Sequence, residues 1–311
     1  MEEKVIAKFI SINKGEGFQN IVVEGLDHKE FSINVSLEQL EQLKILQVYE
    51  FTFVSSPNPK SSKNKTIRDM STFTLIENIY SGDELVTLLD AFFSFLPMSI
   101  KSIKEGIEEF LNKIENRVIF KITKGLLKKY EDRFYVYPAA NSFHHSYYGG
   151  LAYHTFTMLR IAQSYLKEYS YLNQDLLYGG IILHDILKAE EFTGLSGGYS
   201  TYGSLVGHLI GGAIEISHMA DELGYKNHEE VMLLEHICIS HHGIFTFGSQ
   251  KKPQLPEALL IWYIDSIDAK MRSIEEELQK TDPGSFTGVV PAADRTSFYK
   301  PHKPKTTKGK K

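Results

Sequence analysis

Cysteine is nearly absent: Cys238 stands alone among 311 residues. That excludes an intrachain disulfide framework and fits the reducing cytoplasm. Its apolar helical neighbours mark it as a buried structural thiol rather than a nucleophile. No uncharged apolar run approaches the ~18 residues that a membrane helix needs. The opening stretch MEEKVIAKF has no apolar segment of the kind a secretory signal carries. A cytoplasmic protein with no membrane partner is therefore expected. Internal repeats and long low-complexity tracts are also missing. A net charge of -5 gives no global sign of nucleic acid, but the distribution is uneven. Lys300 to Lys311 hold six lysines and no acid, a tail suited to touching phosphates. What remains, 42% hydrophobic and 23% charged residues, is a globular composition, with length enough for two ordinary domains.

The first eighty residues differ from the rest. Val5–Ile12, Gln19–Glu24 and Glu30–Val35 are β-rich and separated by Gly- and Asp-containing turns. A short helix follows over Leu37–Leu43 with Ser36 as its N-cap. Two more strands are expected at Val48–Val54 and Ser71–Glu77, joined by a polar loop, Ser55–Arg68, that carries Lys60, Lys63, Lys65 and Arg68. Three strands, a helix and two strands is the element order of an OB-fold, a small barrel that often binds single-stranded nucleic acid. The four basic residues are its candidate phosphate contacts. Phe9, Phe18 and Phe31 are candidate stacking residues, although aromatics in short strands more often fill a core.

From Gly82 the pattern turns helical, with apolar residues three and four apart over Glu84–Phe95 and Ile100–Tyr130, separated by Pro97. Helices are also expected at Leu151–Tyr169, Leu176–Leu187, Leu205–Leu223, Glu229–His241 and Pro256–Leu278. The stretch from Asp282 looks irregular. The fold class is thus multidomain: an all-β OB-like barrel (1–80), a helical packing segment (81–135), an all-α bundle (136–281) and an irregular basic tail (282–311).

Ten of the twelve histidines fall between His144 and His242. Singly, each is more often a satisfied core or surface residue than a ligand; their order changes that. Along the chain come His154, the pair His184-Asp185, His208, the pair His241-His242, and Asp265. Each lies on or at the end of a different predicted helix, so one bundle is able to point them all inward. Imidazole and carboxylate suit manganese, iron, cobalt or zinc. Seven such ligands exceed the need of one ion but match two that share a carboxylate, an arrangement suited to phosphoester hydrolysis. Lys188 lies one turn beyond the His-Asp pair and faces the same way. Asp268, one turn after Asp265, is placed to orient a ligand histidine. His144 and His145 precede the first ligand across a Gly-Gly turn and are candidates for the pocket wall. His236 reads as structural, and His28, His218, His228 and His302 sit in polar contexts.

This ligand order resembles the HD superfamily of phosphohydrolases in its dinuclear form. The resemblance implies that Asp185 bridges two metals, with His154, His184 and Asp265 on one and His208, His241 and His242 on the other. It also implies that Lys188 contacts substrate phosphate. Longer strings sharpen the match. PAANSFHHSYYGGLAYHT (Pro138–Thr155), LHDILK (Leu183–Lys188), YSTYGSLVGH (Tyr199–His208), HHGIFTFGS (His241–Ser249) and SFYKP (Ser297–Pro301) are similar to the YhaM family. That resemblance covers about Ile79 to Pro301. It implies a 3′-to-5′ exoribonuclease that also acts on single-stranded DNA, favours manganese and is able to form a homo-oligomer. Asp185 and Lys188 would be its catalytic residues. Two features depart from the family pattern: the first eighty residues share only element order, and Thr246 and Gln250 replace an expected acid and proline. Two other readings compete. One is an HD hydrolase of a small nucleotide, weakened by the lack of a GYP-type loop after His242. The other is a nucleic-acid adaptor with a scaffold HD domain, weakened by the complete ligand set.

Overall fold

The computed structural model describes residues 2–15, 18–45, 47–57, 66–93, 97–139, 148–193, 198–244 and 249–302. Lys60, Lys63, Lys65, His144, His145, Thr246 and the lysines after Lys300 lie outside the described residues, as does the side chain of Phe18.

Five strands form a closed barrel: β1 (Glu2–Gly15), β2 (Phe18–Gly25), β3 (Glu30–Asn34), β4 (Val48–Pro57) and β5 (Thr66–Leu75), in the order β1-β2-β3-β5-β4. Pairing is antiparallel except between β3 and β5, and β1 closes the ring on β4 with Val5 opposite Phe51. Alternate residues point inward, so Ala7, Phe9, Ile21, Val23, Ile33, Phe51 and Phe53 fill the interior. Phe9 is therefore core. Helix α1 (Leu37–Gln42) crosses between β3 and β4. Ser36 and Gln39 form a capping box at its start. Strand, helix and closure match the expected OB-like element order. One expectation is corrected: β5 begins at Thr66, so Arg68 sits on a strand and not in the connecting loop.

A 3₁₀ turn (Ile76–Asn78) leads into the helical part, α2 (Gly82–Phe92), α3 (Ile100–Leu111), α4 (Arg117–Lys129) and α5 (Glu131–Phe134). Barrel and helices share apolar contacts, since Val48 and Ile76 belong to the same buried cluster as Leu89 and Phe92. Lys8 of β1 adds a polar tie. Its buried ammonium donates 2.7 Å to the Phe92 carbonyl at the end of α2 and lies 2.7 Å from Glu24. The continuous helical pattern over Ile100–Tyr130 is in fact two helices. The Asn116 side chain accepts from Val118 and Ile119, while Asp175 accepts from the backbone N–H groups of Glu115 and Asn116. The break is capped from outside the helix.

The remaining helices are α6 (Gly150–Glu168), α7 (Gln174–Leu183), α8 (Lys188–Glu191), α9 (Thr201–Leu205), α10 (Gly207–Glu222), α11 (Glu229–Ser240) and α12 (Pro256–Gln279). The centre is α7, whose residues from Leu176 to Leu183 are all buried. Its Gly179 and Gly180 let neighbours approach closely. A Cβ on Gly179 would lie 2.6 Å from Ile119, and one on Gly180 2.8 Å from Ile237 and 2.9 Å from Ile261. The C-terminal end of this central helix therefore lies among α6, α11 and α12. The stretch after α12 is more ordered than its composition suggests. Isolated bridges join Phe286 to Tyr299 and Val290 to Thr296, and the Lys300 ammonium donates to the Leu278 and Thr281 carbonyls. No described helix is long and apolar enough to cross a membrane.

Candidate metal centre

His184 caps the C-terminus of α7 and Asp185 follows it, so the His-Asp pair emerges at the middle of the bundle. His154 comes from α6, His208 from the first turn of α10, His241 from the C-cap of α11, and Asp265 from α12. The five imidazoles form one cluster. Ring centroids are 5.6 Å apart for His154 and His184, 5.0 Å for His184 and His241, 5.2 Å for His208 and His242, and 4.5 Å for His241 and His242.

Asp185 sits between two halves of this cluster. Its Oδ1 is 3.3 Å from His208 Nε2 and 3.5 Å from His241 Nε2, while its Oδ2 is 3.2 Å from His184 Nε2. His154, His184 and Asp185 bring ligand atoms within 4.8 Å of one another, and so do Asp185, His208, His241 and His242. Asp265 adjoins the first set through His154 Nε2, at 3.3 Å. All seven sequence-predicted ligands thus converge, and Asp185 is common to both sets.

The outward-facing nitrogens are already engaged. His154 Nδ1 is 2.7 Å from Asp268, His184 Nδ1 donates to the Ile181 carbonyl, His208 Nδ1 is 2.7 Å from Glu191, and His241 Nδ1 donates to the Cys238 carbonyl. Such bonds fix ring orientation and leave Nε2 to face the centre. There, His184 Nε2, His208 Nε2, His241 Nε2 and Asp185 Oδ1 are buried without a hydrogen-bond partner. Orphaned buried polar atoms are costly. Four of them facing one another fit divalent cations held by imidazole and carboxylate.

Electrostatics agree. Burial works against charge on Asp185, but Lys188 and His184 outweigh it and hold the carboxyl well below its ordinary range. Burial, reinforced by His242, pushes His241 down to about 3, so it is a neutral imidazole, the form that ligates. Burial also opposes charge on His154, yet Asp265 and Asp268 overcome it and raise the ring to about 10. The proton so held beside Asp265 marks a place that attracts positive charge, and a cation binding at Nε2 would displace it. The Lys188 ammonium lies 2.7 Å from Asp185 Oδ2. Cys238 is buried, and burial pushes its thiol up, as suits a structural residue. His236 accepts from the Gln254 N–H at 3.0 Å and stays outside the cluster.

Comparison with known proteins accords with this geometry. Residues 151–270 match the family model described as the HD domain. A Bacillus subtilis (strain 168) protein named 3′-5′ exoribonuclease YhaM is 40% identical over 214 residues, 68% of each chain. The chain belongs to the YhaM family. A YhaM protein of the same name from Geobacillus sp. (strain WCH70) is 44% identical over 211 residues, 68% of this chain and 65% of that one, just under two thirds of its length. The YhaM protein of Listeria monocytogenes serotype 4b (strain CLIP80459) is 36% identical over 78% of this chain and 75% of its own. No solved structure matches the chain significantly. Within this YhaM-family chain, Glu191 is the site residue that the sequence did not reveal. Glu190 and Glu191 stand side by side, and only the fold shows that Glu190 turns out to Arg133 while Glu191 turns in to His208.

Proposed function

We propose that this chain is a metal-dependent 3′-to-5′ exoribonuclease of the cytoplasm, releasing nucleoside 5′-monophosphates from single-stranded RNA and accepting single-stranded DNA. The observation that carries the reading is the set of four unpartnered buried atoms around Asp185. Membership of a family whose curated relatives are named 3′-5′ exoribonuclease supports it. His154, His184, Asp185 and Asp265 would hold one divalent ion. Asp185, His208, His241 and His242 would hold a second, manganese being the metal that the family resemblance implies, with iron, cobalt and zinc also suited to the donor set. Two bound ions supply an activated water and charge stabilisation on the attacking and leaving oxygens.

The chain's own residues do the rest. Asp268 and Glu191 keep two ligand rings in one tautomer. Lys188, poised on Asp185, places an ammonium where charge builds on the scissile phosphate. On the barrel, the Arg68 guanidinium lies 4.8 Å from the Phe31 ring centre and 5.9 Å from that of Phe53, a cation-π arrangement beside a partly open aromatic. Together with Lys60, Lys63 and Lys65 it would grip the strand while His144 and His145 line the approach to the centre. Arg68→Ala should weaken binding of a single-stranded 20-mer by about 3- to 10-fold and lower the salt slope by about one. Fluorescence anisotropy at several salt concentrations measures both, and an unchanged slope removes Arg68 from the binding face.

The outer side of α12 supports self-association. Leu259, Tyr263, Ile267 and Met271, spaced by four, are 41%, 51%, 45% and 58% exposed. Lys270, beside them, is paired with Asp294. An apolar stripe of this kind is unusual on a lone surface, and we assign it to contact with a second copy. The double variant Tyr263→Lys, Met271→Glu should shift the mass measured by light scattering to that of one chain; an unchanged assembly size rejects the assignment.

The central test is incubation of the full chain with 5′-labelled single-stranded RNA and Mn²⁺. Expected is a ladder that shortens from the 3′ end, abolished by EDTA. Hydrolysis of small nucleotides without a ladder, or no hydrolysis, overturns the reading.

A further inference from the structure

The two ligand sets are supported unequally. In the first, His154 stands on the 19-residue α6, and its orienting partner Asp268 stands on the 24-residue α12. Asp268 is itself braced, with Arg272 Nε 3.8 Å from its Oδ1 while Arg272 Nη2 donates 2.6 Å to the Tyr153 hydroxyl. His154, His184 and Asp185 are all buried. Long packed helices are the parts of a fold that open last.

In the second set the orienting partner leans on short pieces. His208 is oriented by Glu191, which ends the four-residue α8. That turn is held in place chiefly by α9, five residues long. The Ser200 N–H donates to the Glu191 carbonyl at 2.8 Å, and the Ser200 hydroxyl donates to the Glu190 carbonyl at 2.7 Å. Gly203 packs so tightly here that an added Cβ would lie 2.4 Å from the Glu191 carbonyl oxygen. The outer face of α9 is open, with Leu205 80% and Tyr202 41% exposed. His208 and His241 themselves stand on α10 and at the end of α11, but an orienting carboxylate held on two such turns is less pre-organised than one held on α12. Binding at the second set therefore costs more ordering.

We propose that Glu191 is the positioning residue for the second ion, and that this ion is the weaker-held and more readily exchanged of the two; the proposal rests on the two-ion reading above. Glu191 acts through His208. It accepts a hydrogen bond from Nδ1–H, fixes the tautomer that presents Nε2, and places negative charge behind the ring. The carboxylate is 8% exposed and has no other role in the ligand cluster.

Calorimetric titration of Mn²⁺ into the full chain, stripped of metal by chelator, tests this without reference to activity. Wild type should show two binding events of unequal affinity. Glu191→Ala should weaken the lower-affinity event by about 10- to 100-fold and leave the tighter one unchanged. Glu191→Gln, which keeps an oxygen to accept a hydrogen bond from Nδ1–H, should recover most of the loss. Asp268→Asn should weaken the tighter event instead. Thermal melting without metal identifies any variant that has lost its fold, and the near-isosteric Gln variant then carries the test. Loss from both events alike, or from neither, in the Glu191 variants overturns the proposal while leaving two ions in place. A wild type that binds a single ion overturns the two-ion reading, and the proposal with it.

Discussion

Asp185→Asn is expected to lower the rate of 3′-end shortening by on the order of 10⁴-fold or more, with the chain still folded. The magnitude follows from position. Both oxygens of Asp185 face the cluster, the unpartnered Oδ1 toward His208 and His241 and Oδ2 toward His184 and Lys188. No other carboxylate belongs to both mutually close ligand sets found among the described residues. An amide keeps the shape but carries no charge, and its nitrogen turns a donor toward either a ligand nitrogen or a cation. Both halves of the centre therefore fail together, and that is why the loss should match that of a catalytic unit rather than one contact. Binding has a separate signature. Wild type should gain about 2.7 kcal/mol of stability when Mn²⁺ stands at a hundred times its dissociation constant, seen as a rise in melting temperature. The Asn variant should show almost none. Asp185→Ala should in addition be less stable without metal, because the Lys188 ammonium, only 16% exposed, loses its carboxylate. Turnover within tenfold of wild type in the Asn variant would remove Asp185 from its shared role.

The positions that were readable from sequence are those where local pattern and tertiary need coincide. The candidate ligands could be picked out because they follow one another in a fixed chain order, each on a different helix or at its end, and that order survives without coordinates. Inward alternation such as Ala7 and Phe9 or Ile21 and Val23 likewise announces a barrel strand. Strand β5 starts earlier than its pattern suggests because Arg68 and Asp69 stand side by side within it, so no apolar alternation marks its first half. The break between α3 and α4 contains neither Pro nor Gly. It depends on Asp175, which lies about sixty residues further along the chain. Glu191 is hidden for a related reason: two adjacent glutamates look alike until a neighbouring helix decides which one faces His208. The last two of these gaps are contacts between residues apart in the chain. None leaves a periodic trace in the sequence.

Gly243→Ala is expected to cost on the order of 2–5 kcal/mol and to reduce activity about 100-fold, although the glycine itself holds no ion. Gly243 follows directly on the His241-His242 pair. Its φ of 77° lies in the left-handed region that favours glycine. Its N–H donates 2.8 Å to the Ser240 carbonyl, closing the end of α11. Space is as restrictive as the dihedral: a Cβ here would fall 2.0 Å from Cε2 of the Trp262 indole. That ring is not a flexible tip, being stacked on Tyr263 at 4.9 Å with 18° between the planes. The turn must therefore shift, and His241 and His242 shift with it. A displacement near 1 Å at a ligand is enough for a loss of about 100-fold. Trp262→Leu in the same chain removes the collision but not the backbone strain, so the double variant should regain part of the stability lost by Gly243→Ala. A double-mutant cycle by thermal melting, with Mn²⁺ titration in parallel, separates the two contributions. Wild-type melting and turnover in the single Ala variant would show that the turn is free to relax, and that the histidine pair does not depend on it.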